Sequence, residues 1–92
     1  MKKNQMEVIG EALISFKGGN GSHLISIAQH RKNKKFYLKL DVGYFHKLTD
    51  GQAEILRQGM TLSTKINRQQ IIYVDVTTVA WPQEKVESHP FA

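Results

Sequence analysis

The 92-residue chain is 40% hydrophobic and 23% charged, enough for one modest core and too small for a second. Its apolar runs are only a few residues long, which excludes a membrane span, and the opening MKKNQMEV lacks the apolar stretch of a secretory signal. Without cysteine there is no disulfide framework and no thiolate metal site, and a reducing, cytoplasmic setting is expected.

The formal net charge is +5. Between His30 and Lys47 six cations (Arg31, Lys32, Lys34, Lys35, Lys39, Lys47) face one anion, Asp41, while the rest of the chain balances seven cations against seven carboxylates. The whole excess therefore sits in one segment. A localised excess of this kind points to an anionic partner.

In chain order, residues 8–16 read as a first strand, and Gly18-Gly19-Asn20-Gly21 supplies a turn that tolerates positive φ. Residues 23–29 form a second strand, and the basic turn follows. A third strand is expected from about 35 to 45, with Phe36, Leu38 and Leu40 on one face and Lys35, Tyr37, Lys39 and Asp41 on the other. Tyr44 would then point inward and Phe45 outward, unless a bulge at Gly43 reverses them. Thr49-Asp50-Gly51-Gln52 has the spacing of a capping box. It starts a short helix with Ala53, Ile55 and Leu56 as its apolar residues and Gly59 as its stop. Residues 60–66 form a fourth strand with Leu62, Thr64 and Ile66 inward. Residues 70–80 form a fifth, with Ile72, Val74 and Val76 on one face and Pro82 at its end. The order strand, strand, strand, helix, strand, strand fits an OB-fold, a mainly β, five-stranded barrel with one helix between strands three and four. It would occupy residues 1–81, with 82–92 as a loose tail.

The helix region carries a family resemblance. Phe45-His46-Lys47-Leu48, five residues, then Glu54-Ile55-Leu56-Arg57-Gln58-Gly59 resembles the F-x-K-L-A-E, helix, Y-L-x-K-G segment of bacterial-type single-stranded DNA-binding proteins. Ile25-Ser26-Ile27-Ala28 is similar to that family's F-S-L-A strand, and Val8-Ile9-Gly10 to its V-x-L-x-G opening. The resemblance runs from residue 8 to residue 80 in short pieces. It implies an OB-fold, single-stranded DNA as the ligand, and a homo-oligomer assembled through its sheets. Four departures stand out. Lys39 occupies the place of a usual tryptophan, Ile66 replaces a glycine, and the connection after it is shorter than the family's DNA-contacting hairpin. The tail keeps only Pro90-Phe91, without the acidic run. These features fit a compact, divergent member of the kind found in phage or plasmid replication systems, or among primosomal replication-restart proteins.

Single strands are held by a cationic groove along the phosphates and by aromatic rings on which bases stack. An OB-fold binds across its second and third strands, the two that the basic turn joins. Arg31, Lys32, Lys34, Lys35 and Lys39 are expected to neutralise phosphates and Tyr37, between two cations on the outward face, to stack a base. Phe45 and Lys47 would extend this surface, as would Lys65, Arg68 and, on the fifth strand, Tyr73. The plain alternative is a solvated lysine-rich hairpin, and a buried Tyr37 would favour it. Trp81 is expected to seal a barrel end.

His23, His30, His46 and His89 show no metal-ligand spacing, Gly18–Gly21 leads into a strand rather than a helix, and no nucleophile elbow occurs. No cofactor, metal or catalytic site is expected. The function expected is binding of single-stranded DNA with little sequence preference in replication, recombination or repair, with RNA open as a ligand. The alternatives are a protein-interaction module docking on a replication protein, and a small nuclease using His30, Arg31 and Tyr37.

Overall fold

The computed structural model describes residues 5–41, 43–66 and 69–82. They form six strands and one helix: β1 (Met6–Phe16), β2 (His23–His30), β3 (Phe36–Asp41), β4 (Tyr44–Lys47), α1 (Asp50–Arg57), β5 (Leu62–Ile66) and β6 (Gln70–Val79). All ladders are antiparallel, in the order β4-β3-β2-β1-β6-β5. The sheet curls into a half-barrel whose inner face holds the helix.

The expected third strand divides in two. Gly43 takes φ +79°, a region open to glycine without steric cost, and the chain doubles back there so that β4 pairs with β3. Six strands therefore stand where five were expected. Phe45 still returns to the face of Lys39, its direct partner, whereas Tyr44 is exposed rather than inward.

The helix follows its sequence signals closely. Thr49 Oγ1 accepts from the Gln52 backbone N–H at 3.1 Å and the Gln52 side chain accepts from the Thr49 N–H at 3.0 Å, completing the capping box. At the other end Gly59 has φ +78°, with Gly59 N–H bonded to the Leu56 carbonyl and Met60 N–H to that of Ile55. This is the Schellman arrangement, which satisfies carbonyls the helix leaves unpaired.

The core lies between the inner face and α1. Ile27 and Leu38 from the sheet's middle, Leu62, Ile72 and Val74 from its other half, and Ala53 and Leu56 from the helix pack together. The alternation read from Phe36, Leu38 and Leu40 is the one observed, and Ile72, Val74 and Val76 behave likewise. β1 runs close against β6 at Gly10. A Cβ there would collide with the Thr78 carbonyl oxygen and with Val79 Cα. Register shifts flank this point on both ladders of β1.

Candidate nucleic-acid interface

The basic turn, residues 31–35, joins β2 to β3 as expected and is fixed by its own side chains. The ring of His30 is tucked beneath it, 9% exposed, and its Nδ1 accepts from the backbone N–H groups of Lys32 (3.1 Å) and Asn33 (3.3 Å). Asn33 Oδ1 accepts from the Lys35 N–H at 2.7 Å, and the Gln29 side-chain amide donates to the Lys34 carbonyl at 3.2 Å. Lys34 sits at φ +64°, the single non-glycine positive φ among the described residues. These bonds close the turn so that the side chains of Arg31, Lys32 and Lys34 stand in solvent. Arg31 lies 3.7 Å from the Glu7 carboxylate, and Lys35, half-buried, donates to Asp50 at 3.1 Å. Such exposed pairs contribute little to stability and are easily exchanged for another anion.

Tyr37 lies on the outer face, opposite Phe36 and Leu38, but it is only 5% exposed. Met6 and Ala28 bury it together with Phe45, whose ring meets it edge-on at 6.5 Å, and His30 lies 6.4 Å away. The expectation of an open stacking ring at Tyr37 is therefore corrected, and its burial is the outcome that favours the plain solvated lysine-rich hairpin. Alternation fixes the side of the sheet, whereas burial depends on what other strands bring over that side. Phe45 is half-buried for the same reason. Around this small cluster Lys39 and Lys47 remain on the outer face, paired across the β3–β4 ladder with Phe45 and Tyr37 respectively.

The other expected residues do not join this group. Lys65 is exposed on β5, at the sheet edge opposite β4 and near the end of the sheet away from the basic turn. Four strand spacings separate β5 from β3, roughly 19 Å along the sheet. Tyr73 is half-buried on β6, facing Ser15 and Ser63. Arg68 lies outside the described residues, as do residues 83–92 of the expected tail.

One feature of the site was missed in the sequence. Under the basic turn opens a cleft of about 660 Å³ lined by Gln29, Asn33, Lys34, Lys35 and Phe36 on one side and by Asp50, Ala53, Glu54, Arg57 and Pro82 on the other. Two of its lining residues, Phe36 and Arg57, meet Trp81 behind them: the Arg57 guanidinium carbon lies 5.4 Å from the Phe36 ring and 5.6 Å from that of Trp81. The two rings meet edge-on at 5.2 Å, so Trp81 closes this end of the core, as expected of it. The sequence offers no local signal for the cleft, because docking of α1 against the turn assembles it from residues far apart in the chain.

Among the described residues no cluster of histidine and carboxylate side chains is placed to hold a metal ion, and no helix is long and apolar enough to cross a membrane. No protein-family model, curated protein or solved structure matches the chain.

Proposed function

We propose that this chain binds single-stranded DNA with little sequence preference, chiefly by neutralising phosphates along the β2–β3 turn, in replication, recombination or repair. The observation that carries the reading is the turn itself. Three cations are held in solvent by a turn that Nδ1 of His30 and the side chain of Asn33 fix, with Lys35 beside them and Lys39 and Lys47 on the adjoining face. A rigid display loses less entropy on binding than a floppy one. With Tyr37 covered, the grip is electrostatic and its sequence tolerance follows from the uniformity of the phosphate backbone. In fold terms we read the half-barrel as an opened relative of the OB barrel. The order of elements along the chain and the curl support this, with β4 as an added edge strand; the pairing of β1 with β6, which leaves β4 and β5 as edges, departs from the closed order of that barrel. The resemblance to bacterial-type single-stranded DNA-binding proteins belongs to the same proposal. It is of a cytoplasmic binding protein to which no chemistry is assigned.

Fluorescence anisotropy with mixed-sequence oligonucleotides at several salt concentrations tests it. Four phosphate contacts would give a slope of log K against log salt of about −3, at about −0.7 per contact. Lys32→Ala combined with Lys34→Ala should flatten that slope by about 1.4 and weaken all sequences alike. Absence of binding, or binding indifferent to salt, would sink the reading. An RNA version of the same oligonucleotide reports whether the 2′-hydroxyl matters.

A specific observation favours a second reading, a protein-interaction or self-association module. Leu13 and Leu24 face each other directly across the β1–β2 ladder on the outer face and are 37% and 57% exposed. Paired exposed leucines on one sheet face are the kind of feature that contacts protein. Sedimentation over a range of concentrations, repeated with Leu24→Ser, separates the two readings: a mass that falls with the substitution assigns the pair to self-association.

A further inference from the structure

No part of the phosphate-neutralising reading uses the turn between β1 and β2, which carries Gly18-Gly19-Asn20-Gly21. Among the described residues two asparagines, Asn20 and Asn33, stand exposed in turns, and the fold treats them in opposite ways. Asn33 Oδ1 accepts from the Lys35 N–H at 2.7 Å, and the N–H that follows it, that of Lys34, donates to the His30 carbonyl at 3.0 Å. Both the side chain and the next backbone nitrogen are thus tied down. Asn20 has no such ties. Neither its side-chain amide nor the Gly21 N–H has a hydrogen-bond partner among the described residues. Residues 17–22 are all exposed, and nothing lies within 4 Å of the place where a Gly21 Cβ would stand. Gly21, at φ +80°, also lacks the side chain that would shield its nitrogen and restrict its rotation.

We propose that Asn20 is a site of spontaneous, backbone-assisted deamidation in the folded protein, with water as the co-reactant. The Gly21 backbone nitrogen gives up its proton to solvent and attacks the carbonyl carbon of the Asn20 side chain. The new carbon–nitrogen bond closes a cyclic imide, while the bond from that carbon to Nδ2 breaks and the side-chain nitrogen takes a proton and leaves as ammonia. Water then opens the imide. Opening at the side-chain carbonyl leaves aspartate, and opening at the backbone carbonyl leaves isoaspartate, in which the main chain runs through the former side chain. The sum is asparagine and water giving a carboxylic acid and ammonia, with no change of oxidation state. Attack requires a nitrogen without a hydrogen bond and a side chain free to turn onto it. Asn20 meets both conditions as folded, whereas Asn33 must first open two ordinary hydrogen bonds, which slows it by about tenfold or more. The new carboxylate stands at the opposite end of β2 from the basic turn, a strand of 8 residues away. At about 3.3 Å per residue that is roughly 26 Å, well beyond the screening length of about 8 Å at physiological salt. Neither the site nor its chemistry depends on the single-strand reading.

The experiment holds the full, isotope-labelled chain folded in mildly alkaline buffer and follows the side-chain amide signals of Asn20 and Asn33 by NMR over time. Mass spectrometry of the tryptic peptide spanning residues 18–31, in which Asn20 is the single asparagine, locates the product. The Asn20 amide signals are expected to disappear at least about tenfold faster than those of Asn33. The peptide should gain the mass that separates an acid from an amide and divide into two chromatographic forms, aspartate and isoaspartate. The same measurement in urea separates the contribution of the fold from that of the local sequence. There the Asn33 rate should rise by about tenfold, and the Asn20 rate should change by less than about twofold, because folding ties down nothing at Asn20. Conversion of Asn20 no faster than that of Asn33 in the folded chain overturns the inference. A tenfold rise at Asn20 on unfolding overturns it as well, since the turn would then be protecting the residue.

Discussion

Tyr37 and Leu38 are neighbours on one strand, face opposite ways, and enter clusters of very different build. Leu38, fully buried, belongs to a core drawn from five of the six strands, with Leu48 just after β4, and capped by α1. Tyr37 is covered by Met6, Ala28 and the half-buried Phe45, a patch with no second layer over it among the described residues. Equal burial therefore does not mean equal constraint. A cavity at Leu38 is walled by packed side chains and cannot close, whereas a cavity at Tyr37 opens onto solvent and can refill by collapse of Phe45 or Met6. Large-to-small substitutions vary in cost for this reason. Leu38→Ala is expected to destabilise by about 3–5 kcal/mol and Tyr37→Ala by about 2, although the second removes more atoms. Urea unfolding of both variants measures this. A Tyr37 cost equal to or above that of Leu38 would mean that the outer cluster is a second core.

β1 and β6 approach most closely at Gly10, between the register shifts of the two ladders of β1. With a Cβ position that collides with the Thr78 carbonyl oxygen, the next clash partner being backbone too, alanine can be accommodated only if β1 and β6 move apart. Gly10→Ala is expected to cost about 1–3 kcal/mol through this overpacking. If its urea midpoint matches that of the unaltered chain, the close approach of β1 to β6 is not needed for the fold. Gly43→Ala offers the contrast, since its Cβ would meet nothing within 4 Å and the strain there comes from φ alone.

His30 ties the outer face to the turn. Its Nδ1 accepts two backbone N–H groups, and its ring lies against Tyr37. His30→Phe keeps a ring in place and removes the acceptor, leaving the Lys32 and Asn33 donors to solvent. The expected loss is about 1 kcal/mol of stability, the net value of an ordinary hydrogen bond. Amide exchange at Lys32 and Asn33 should quicken while that of the inner strands is unchanged. Unchanged exchange at those two amides would separate the turn from His30.

How far the sequence could be read follows the same division. Local rules carried well: the alternation of Phe36, Leu38 and Leu40 named the inner face, and Thr49, Gln52 and Gly59 marked both ends of α1. The reversal at Gly43 was hidden because the pattern of the third strand survives it. Phe45 lies on the outer face whether the strand continues or doubles back, so period two could not distinguish the cases. Tyr37 illustrates the second limit. Its side was legible, but its cover comes from Met6 on β1 and Phe45 on β4, and no local rule reports a non-local lid. The cleft is harder still, being built from a turn, a helix and Pro82 that only the folded chain brings together.

His46 gives the finest probe of the two faces, because it pairs with Leu38 at the β4 edge, where the inner face gives way to solvent. Burial lowers its pKa from the ordinary 6.5, since a partly desolvated imidazolium is less favourable than the neutral ring. The unfolded chain, with the ordinary pKa, then binds more protons than the native one between the folded value and 6.5. By linkage stability rises with pH across that window. The protein should thus be at full stability, as far as His46 is concerned, above about pH 7.5, lose stability as pH falls through 6.5, and stop losing it once the folded form also protonates. His46→Gln removes the titration while keeping a polar side chain of similar reach. The difference between its urea midpoint and that of the unaltered chain should therefore change between about pH 7.5 and pH 5.5, in favour of the variant at the acid end. The effect is expected to be the smallest of the four, because half-exposed His46 keeps much of its hydration. A difference independent of pH would place His46 outside the inner face's influence and confine that face to the strands that α1 covers.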